Sequence, residues 1–205
     1  ILDKVLDMAE NDSISKVRSA MLSLLNEGDE VEAVLLDMYK NAIVNDPSAL
    51  VRSSAFQSLV DLNPEEALME ARSLQKGASK SLQLSLAEAY SKMGEAQEHA
   101  FYEELIYNGG FGGEEELRVM FSYLTYVLMQ DVDVIKNVPE VMQYYQENGG
   151  SLVVMYYDRI VAYFIEQCQE SVSSLEESLA SDEEKNAIRQ AYSELIDALE
   201  LLQSE

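Results

Sequence analysis

Asn45-Asp46-Pro47-Ser48-Ala49-Leu50-Val51-Arg52-Ser53 has a counterpart 34 residues upstream, Asn11-Asp12-Ser13-Ile14-Ser15-Lys16-Val17-Arg18-Ser19, with Asn, Asp, Val, Arg and Ser in register. In both copies the Asn-Asp followed by Ser or Pro stops one helix and caps the next. Apolar residues then recur at helical spacing. The second copy places Val51, Ala55, Leu59 and Leu62 on one face, and the first places Val17, Met21 and Leu25 there. The same pattern returns as Leu82, Leu86, Tyr90 and Met93, and again as Leu117, Phe121, Leu124 and Leu128. The starting positions 17, 51, 82 and 117 are 34, 31 and 35 residues apart. A period of this length is the mark of a repeat built from one pair of antiparallel helices. The fold class expected is therefore all-α, an α-α superhelix of stacked helical hairpins.

Partner helices are expected at 1 to 10, 29 to 44, 64 to 76 and 95 to 108, with Pro64 in a first helical turn, where its missing N–H costs nothing. Further helices follow near 139 to 147, 151 to 170 and 183 to 203, giving ten or eleven in all. Ser181-Asp182-Glu183-Glu184 fits a capping box that opens the last of them. The run Leu152-Val153-Val154-Met155-Tyr156-Tyr157 is continuous rather than alternating, so it reads as buried helix and not as a strand. One helical-repeat domain over 1 to 205 is expected, clearer in 1 to 130 and degenerate in 131 to 205. Composition agrees, because 47% hydrophobic residues with only 9 Gly, 3 Pro and no Trp favour long uninterrupted helices. Asp12 with Arg18, and Asp46 with Arg52, form either a ladder between hairpins or merely a cap and a surface cation.

The formal charge of −24 is uneven: residues 1 to 92 carry 15 acidic and 9 basic side chains, and residues 93 to 205 carry 23 and 5. Such a surface cannot neutralise phosphates, which argues against nucleic acid and anionic membrane as partners and favours cationic ones. No apolar run has the length of a membrane span. The chain opens on Ile1-Leu2-Asp3-Lys4, without an initiator Met and without the basic-then-apolar order of a signal segment, so a soluble fragment of a longer product is expected, cytoplasmic or periplasmic. Cys168 is the single cysteine and forms no internal disulfide.

Candidate chemistry is sparse. His99, the only histidine, sits among Glu95 and Glu103 at four-residue spacing. One His completes neither a zinc hydrolase site nor a di-iron bundle, so the cluster is expected to be surface helix. Cys168 has no basic neighbour in sequence and reads as a small core residue. Asn108-Gly109-Gly110-Phe111-Gly112-Gly113 lacks the Lys-Ser/Thr ending of a phosphate loop and runs into Glu114, Glu115 and Glu116, so it reads as a helix stop and hairpin. Of the 12 tyrosines, nine fall between Tyr102 and Tyr163. They either fill helix interfaces with hydroxyls at the rim or line a groove for a peptide or a cationic group. No catalytic, cofactor-binding or metal-binding residue is expected in this chain.

With the repeat established, the chain resembles the HEAT-like helical domain that closes the C-terminus of some bacterial M1-family zinc aminopeptidases, a HEAT/ARM-like solenoid. The resemblance lies in Asn45-Asp46-Pro47-Ser48-Ala49-Leu50-Val51-Arg52, Leu62-Asn63-Pro64-Glu65-Glu66-Ala67-Leu68 and Lys185-Asn186-Ala187-Ile188-Arg189-Gln190-Ala191-Tyr192. It implies a non-catalytic end domain that walls the active-site chamber and shapes peptide access. Zinc would be held only by a separate catalytic part, whose His-Glu-x-x-His motif is not in this sequence. Its partners would be its own catalytic domain and peptide. A free-standing scaffold that binds another protein is the alternative.

Overall fold

The computed structural model describes residues 2–25, 32–130, 132–175 and 181–203, and all regular structure among them is helical. The order is α1 (Leu2–Asn11), α2 (Ser15–Leu25), α3 (Glu32–Asn45), α4 (Ala49–Leu62), α5 (Pro64–Leu74), α6 (Lys80–Met93), a 3₁₀ turn (Ala96–Glu98), α7 (His99–Asn108), α8 (Glu114–Val127), α9 (Val132–Ile135), α10 (Val138–Asn148), α11 (Ser151–Ser174) and α12 (Asp182–Gln203). The short α9 has no counterpart in the sequence reading, because four residues are too few to show a period. The expected start of the third helix at 29 lies outside the described residues. The chain divides into two compact units, Ile1–Met93 and Gly94–Glu205.

In the first unit the repeat is visible atom by atom. Asp12 Oδ1 accepts from the Ile14 amide at 2.8 Å, and Asp46 Oδ1 accepts from the Ser48 amide at the same distance. Arg18 Nη1 donates to the Asp12 carbonyl and Arg52 Nη1 to the Asp46 carbonyl, at 2.6 and 2.8 Å. Each Asp therefore closes the turn before its helix, and each Arg folds back over that turn. The tie between copies is Arg18 to Asp46. Nε and Nη2 donate to the two carboxylate oxygens at 2.8 and 2.9 Å, with both side chains only 10% exposed. The ladder thus runs from one copy to the next rather than within Asp12–Arg18 or Asp46–Arg52.

Hydroxyl pairs Ser19–Ser54 at 2.7 Å and Ser53–Ser81 at 2.9 Å place the N-terminal turns of α2, α4 and α6 side by side in one row. Within that row α4 packs against α2, α3, α5 and α6. It is accordingly buried beyond the single apolar stripe: Phe56, Ser58 and Val60 join Val51, Ala55 and Leu59. In α2 the buried set is Arg18, Leu22 and Leu25 rather than Val17, Met21 and Leu25, because the ion pair draws Arg18 inward. Asn63 caps α5 by accepting from the Glu66 amide at 3.1 Å.

The second unit holds the remaining helices. The Gly150 amide, at the N-terminus of α11, donates to both Glu116 carboxylate oxygens in the first turn of α8 at 3.2 Å, so the starts of these two helices are held together. Glycine is required just before that point: a Cβ at Gly149 would strike the Tyr145 carbonyl and approach Val153 Cγ1 to 2.8 Å. The helix α12 packs on α9, α10 and α11, and Ser181 opens it with the expected reciprocal box, Ser181 N–H to Glu184 Oε2 at 2.8 Å and Glu184 N–H to Ser181 Oγ at 3.3 Å. The Ser181 hydroxyl and amide hold the Glu184 carboxyl below its usual range.

Candidate functional site

The tyrosines divide into two populations. Tyr102, Tyr123, Tyr126, Tyr145 and Tyr157 are buried in the second unit. Most of these phenols satisfy themselves on backbone carbonyls of a neighbouring segment: Tyr102 Oη donates to Ser122 O at 3.3 Å, Tyr126 Oη to Glu95 O at 2.8 Å and Tyr157 Oη to Met142 O at 3.0 Å. Burial pushes the Tyr157 hydroxyl up to about 12, and it raises Tyr123, Tyr126 and Tyr145 further still. These side chains are structural, large apolar bodies; Tyr102, Tyr126 and Tyr157 carry a satisfied polar tip, whereas the buried Tyr123 hydroxyl has no hydrogen-bond partner among the described residues. Tyr107, Tyr156 and Tyr163 face outward instead, and Tyr144 is half-buried at the surface.

Two of the outward tyrosines build a groove of about 390 Å³ between α8 and α11, lined by Leu117, Phe121, Tyr156, Arg159, Ile160 and Tyr163. Phe121 is 43% exposed, Tyr156 40% and Tyr163 55%. The sequence register assigns Phe121 to the core-facing stripe of its helix. The structure corrects this, because the core face of α8 is formed by Val119, Met120, Tyr123, Leu124, Tyr126 and Val127, which leaves Leu117 and Phe121 at its edge. Met155, at 66% exposure on α11, adds to the uncovered apolar surface. The run Leu152 to Tyr157 is indeed helical, yet only Val153 and Tyr157 of it are buried.

The other two make a smaller pocket of about 140 Å³, where Tyr107 and Tyr144 meet edge to face at 4.8 Å between ring centres. Glu116, Phe111 and Asn148 complete it, with α7, α8 and α10 and the glycine loop each contributing. Burial and the Glu140 and Glu103 carboxylates raise the Tyr107 hydroxyl above its ordinary value. The loop Asn108 to Gly113 is a helix-to-helix turn as expected, with positive φ at Gly110 and Gly113. Its Phe111 is the contribution that the sequence reading did not find.

His99 is not a surface residue. Its side chain is 15% exposed, Nε2 lies 3.1 Å from Asn137 Nδ2 and 3.8 Å from Glu103 Oε1, and its ring lies 5.9 Å from that of Tyr123. Glu95 stands before the 3₁₀ turn, where its carboxylate and that of Glu98 cap each other's backbone, so it does not share a helix face with His99. Among the described residues no group of three or more His, Cys, Asp or Glu side chains is placed to hold a metal ion. Cys168 is fully buried on α11, and desolvation pushes its thiol up to about 12, which makes it a core residue rather than a nucleophile. Among the described residues no helix is long and apolar enough to cross a membrane.

No family model, curated protein or solved structure matches this chain.

Proposed function

We propose that this chain is a non-catalytic helical-repeat scaffold, its hairpins stacked as an α-α superhelix, which docks a basic, apolar-faced segment of another protein in the α8–α11 groove. The observation that carries the reading is the groove itself. Three aromatic side chains, each at least 40% exposed, converge with Leu117 and Ile160 where a closed helical core would have covered them. Interface energy concentrates on such aromatic anchors. The 94 to 205 part of the chain has 23 acidic and 5 basic residues, which favours an occupant with basic flanks around its apolar centre. The superhelix is supported by the row of α2, α4 and α6 in one unit and by the joined N-termini of α8 and α11 in the other.

The probe is a Leu/Lys amphipathic helical peptide, titrated at physiological salt against the intact chain and against Phe121→Ala/Tyr163→Ala. The double variant is expected to bind about tenfold more weakly or worse, and a Leu/Glu peptide not at all. Equal affinity of both protein forms, or equal binding of both peptides, sinks the groove as the docking site.

A second reading is supported by the resemblance of residues 45 to 52, 62 to 68 and 185 to 192 to the end domain of M1-type zinc aminopeptidases. There the occupant of the groove is a catalytic domain in the same polypeptide, and the chain shapes peptide access to a chamber. Sequencing the coding region upstream of Ile1 decides between the two. A His-Glu-x-x-His motif in frame is the outcome expected of the peptidase reading, and its absence from the full reading frame removes that reading.

A further inference from the structure

Arg159 is the charged residue of the α8–α11 groove, and the other described residues that line it, Leu117, Phe121, Tyr156, Ile160 and Tyr163, offer it no carboxylate. We infer, resting on the docking role proposed above, that Arg159 selects the occupant. The basic, apolar-faced segment that fills the groove carries one Asp or Glu side chain within its apolar face, and the Arg159 guanidinium receives that carboxylate.

The side chain is exposed and, among the described residues, has no hydrogen-bond or ion-pair partner. Other cations of this acidic chain do find carboxylates: Arg18 pairs with Asp46, Lys40 with Glu66 and Lys136 with Asp133. The isolation of Arg159 follows from its helical neighbours. A partner on the same helix would stand three or four residues away, and positions 155, 156, 162 and 163 hold Met, Tyr, Ala and Tyr. Asp158 directly precedes it on α11, and consecutive helical residues do not face each other.

Water satisfies an exposed guanidinium, so the missing partner matters only once the groove is covered. An apolar face laid over Phe121 and Ile160 removes water from Arg159 as well, and a covered cation without a counter-charge is costly. An occupant that supplies a carboxylate turns that cost into a charge-assisted pair, whereas one that does not must push the side chain out to solvent. Arginine suits the role, being planar, weakly hydrated and bidentate toward carboxylates. Tyr156 and Tyr163, one turn before and one turn after it, keep the surroundings apolar.

The carboxylate belongs within the segment and not at its C-terminus. Exposed acidic side chains stand beyond the groove on both helices, Glu114 and Glu115 ahead of Leu117 on α8, and Glu166 and Glu170 behind Tyr163 on α11. They favour basic residues on either side of the anion, which requires the bound chain to continue both ways.

The probes are the Leu/Lys helical peptide and two series derived from it, in which Glu or Gln replaces one residue of the apolar face at a time. Each is titrated at physiological salt against the intact chain, Arg159→Gln, Arg159→Lys and Phe121→Ala/Tyr163→Ala. At one position of the face, Glu is expected to bind the intact chain about tenfold more tightly than Gln, the size of a charge-assisted hydrogen bond in a covered site. That order runs against the overall charge, since residues 94 to 205 hold 23 acidic and 5 basic side chains and disfavour an added carboxylate elsewhere. Arg159→Gln is expected to abolish the preference. Arg159→Lys is expected to keep part of it, because an ammonium supplies a point charge without the bidentate fork. Absence of a Glu preference at every position overturns the inference while leaving the groove reading intact. A preference that survives in Arg159→Gln overturns it too, by assigning the carboxylate to another cation. Indifference of every peptide to Phe121→Ala/Tyr163→Ala removes the groove reading, and this inference falls with it.

Discussion

Phe164→Ala is expected to destabilise the second unit by about 3–5 kcal/mol, whereas Phe121→Ala should change stability by no more than about 0.5 kcal/mol. The two residues have the same chemistry and both stand in the middle of long helices. Phe164 is 1% exposed and shares the inward face of α11 with Ile160, Val161, Ile165 and Cys168, so truncation leaves a cavity that close-packed neighbours fill only in part. Phe121 is 43% exposed and gives back to water only part of what a core phenylalanine buries. Urea unfolding followed by circular dichroism measures both. The contrast matters for function, because a phenylalanine that contributes little to folding yet sits in an aromatic groove has its role in contact with something else. If Phe121→Ala proves as destabilising as Phe164→Ala, the groove is a packed interface within the fold and offers nothing to a partner.

Asp46→Ala is expected to lower stability by about 1–3 kcal/mol at neutral pH, the loss of charge-assisted hydrogen bonds at a largely buried pair. The difference between parent and variant should vanish in acid. The Arg18 guanidinium, aided by the Ser48 amide, holds the Asp46 carboxyl below its ordinary value in the folded state. A group with a depressed folded value contributes stability that is complete above its unfolded value, about 3.9 for aspartate, and is lost as pH falls through the folded one. Stability of both proteins followed from neutral pH downward should therefore show a constant gap that closes below about pH 4. Other carboxylates titrate over the same range, but they are common to both proteins and cancel in the difference. A gap that persists unchanged at the acid end would mean that Asp46 acts through its turn, by the Ser48 amide alone, and that the bidentate pair adds nothing between the two copies.

The local signals in the sequence were sufficient for the helices apart from the four-residue α9. Asn-Asp turns, Pro64 in a first turn and the Ser181 to Glu184 box all act through backbone groups within a few residues. Such interactions need no knowledge of what lies across the core. Cys168 was legible for the same reason, as a lone thiol on an apolar helix face.

What the register of apolar residues could not decide is which edge of each stripe is covered. Helical periodicity reports an apolar face but not the width of the surface packed on it, and that width depends on neighbours distant in sequence. Arg18 turned inward because Asp46 awaits it 28 residues later. His99 moved from an expected surface to a site beside Tyr123 and Asn137, the latter 38 residues away. Phe121 moved the other way, left at the rim where α11 lies alongside α8. The smaller pocket depends on the same kind of long-range placement, since Tyr107, Glu116 and Tyr144 lie on three different helices. Sequence alone determined an all-helical, repeat-bearing, acidic chain, because turns, caps and period are written in adjacent residues. Only tertiary packing decided which tyrosines are core and which are available to a ligand, because exposure is a property of the faces that helices present to one another.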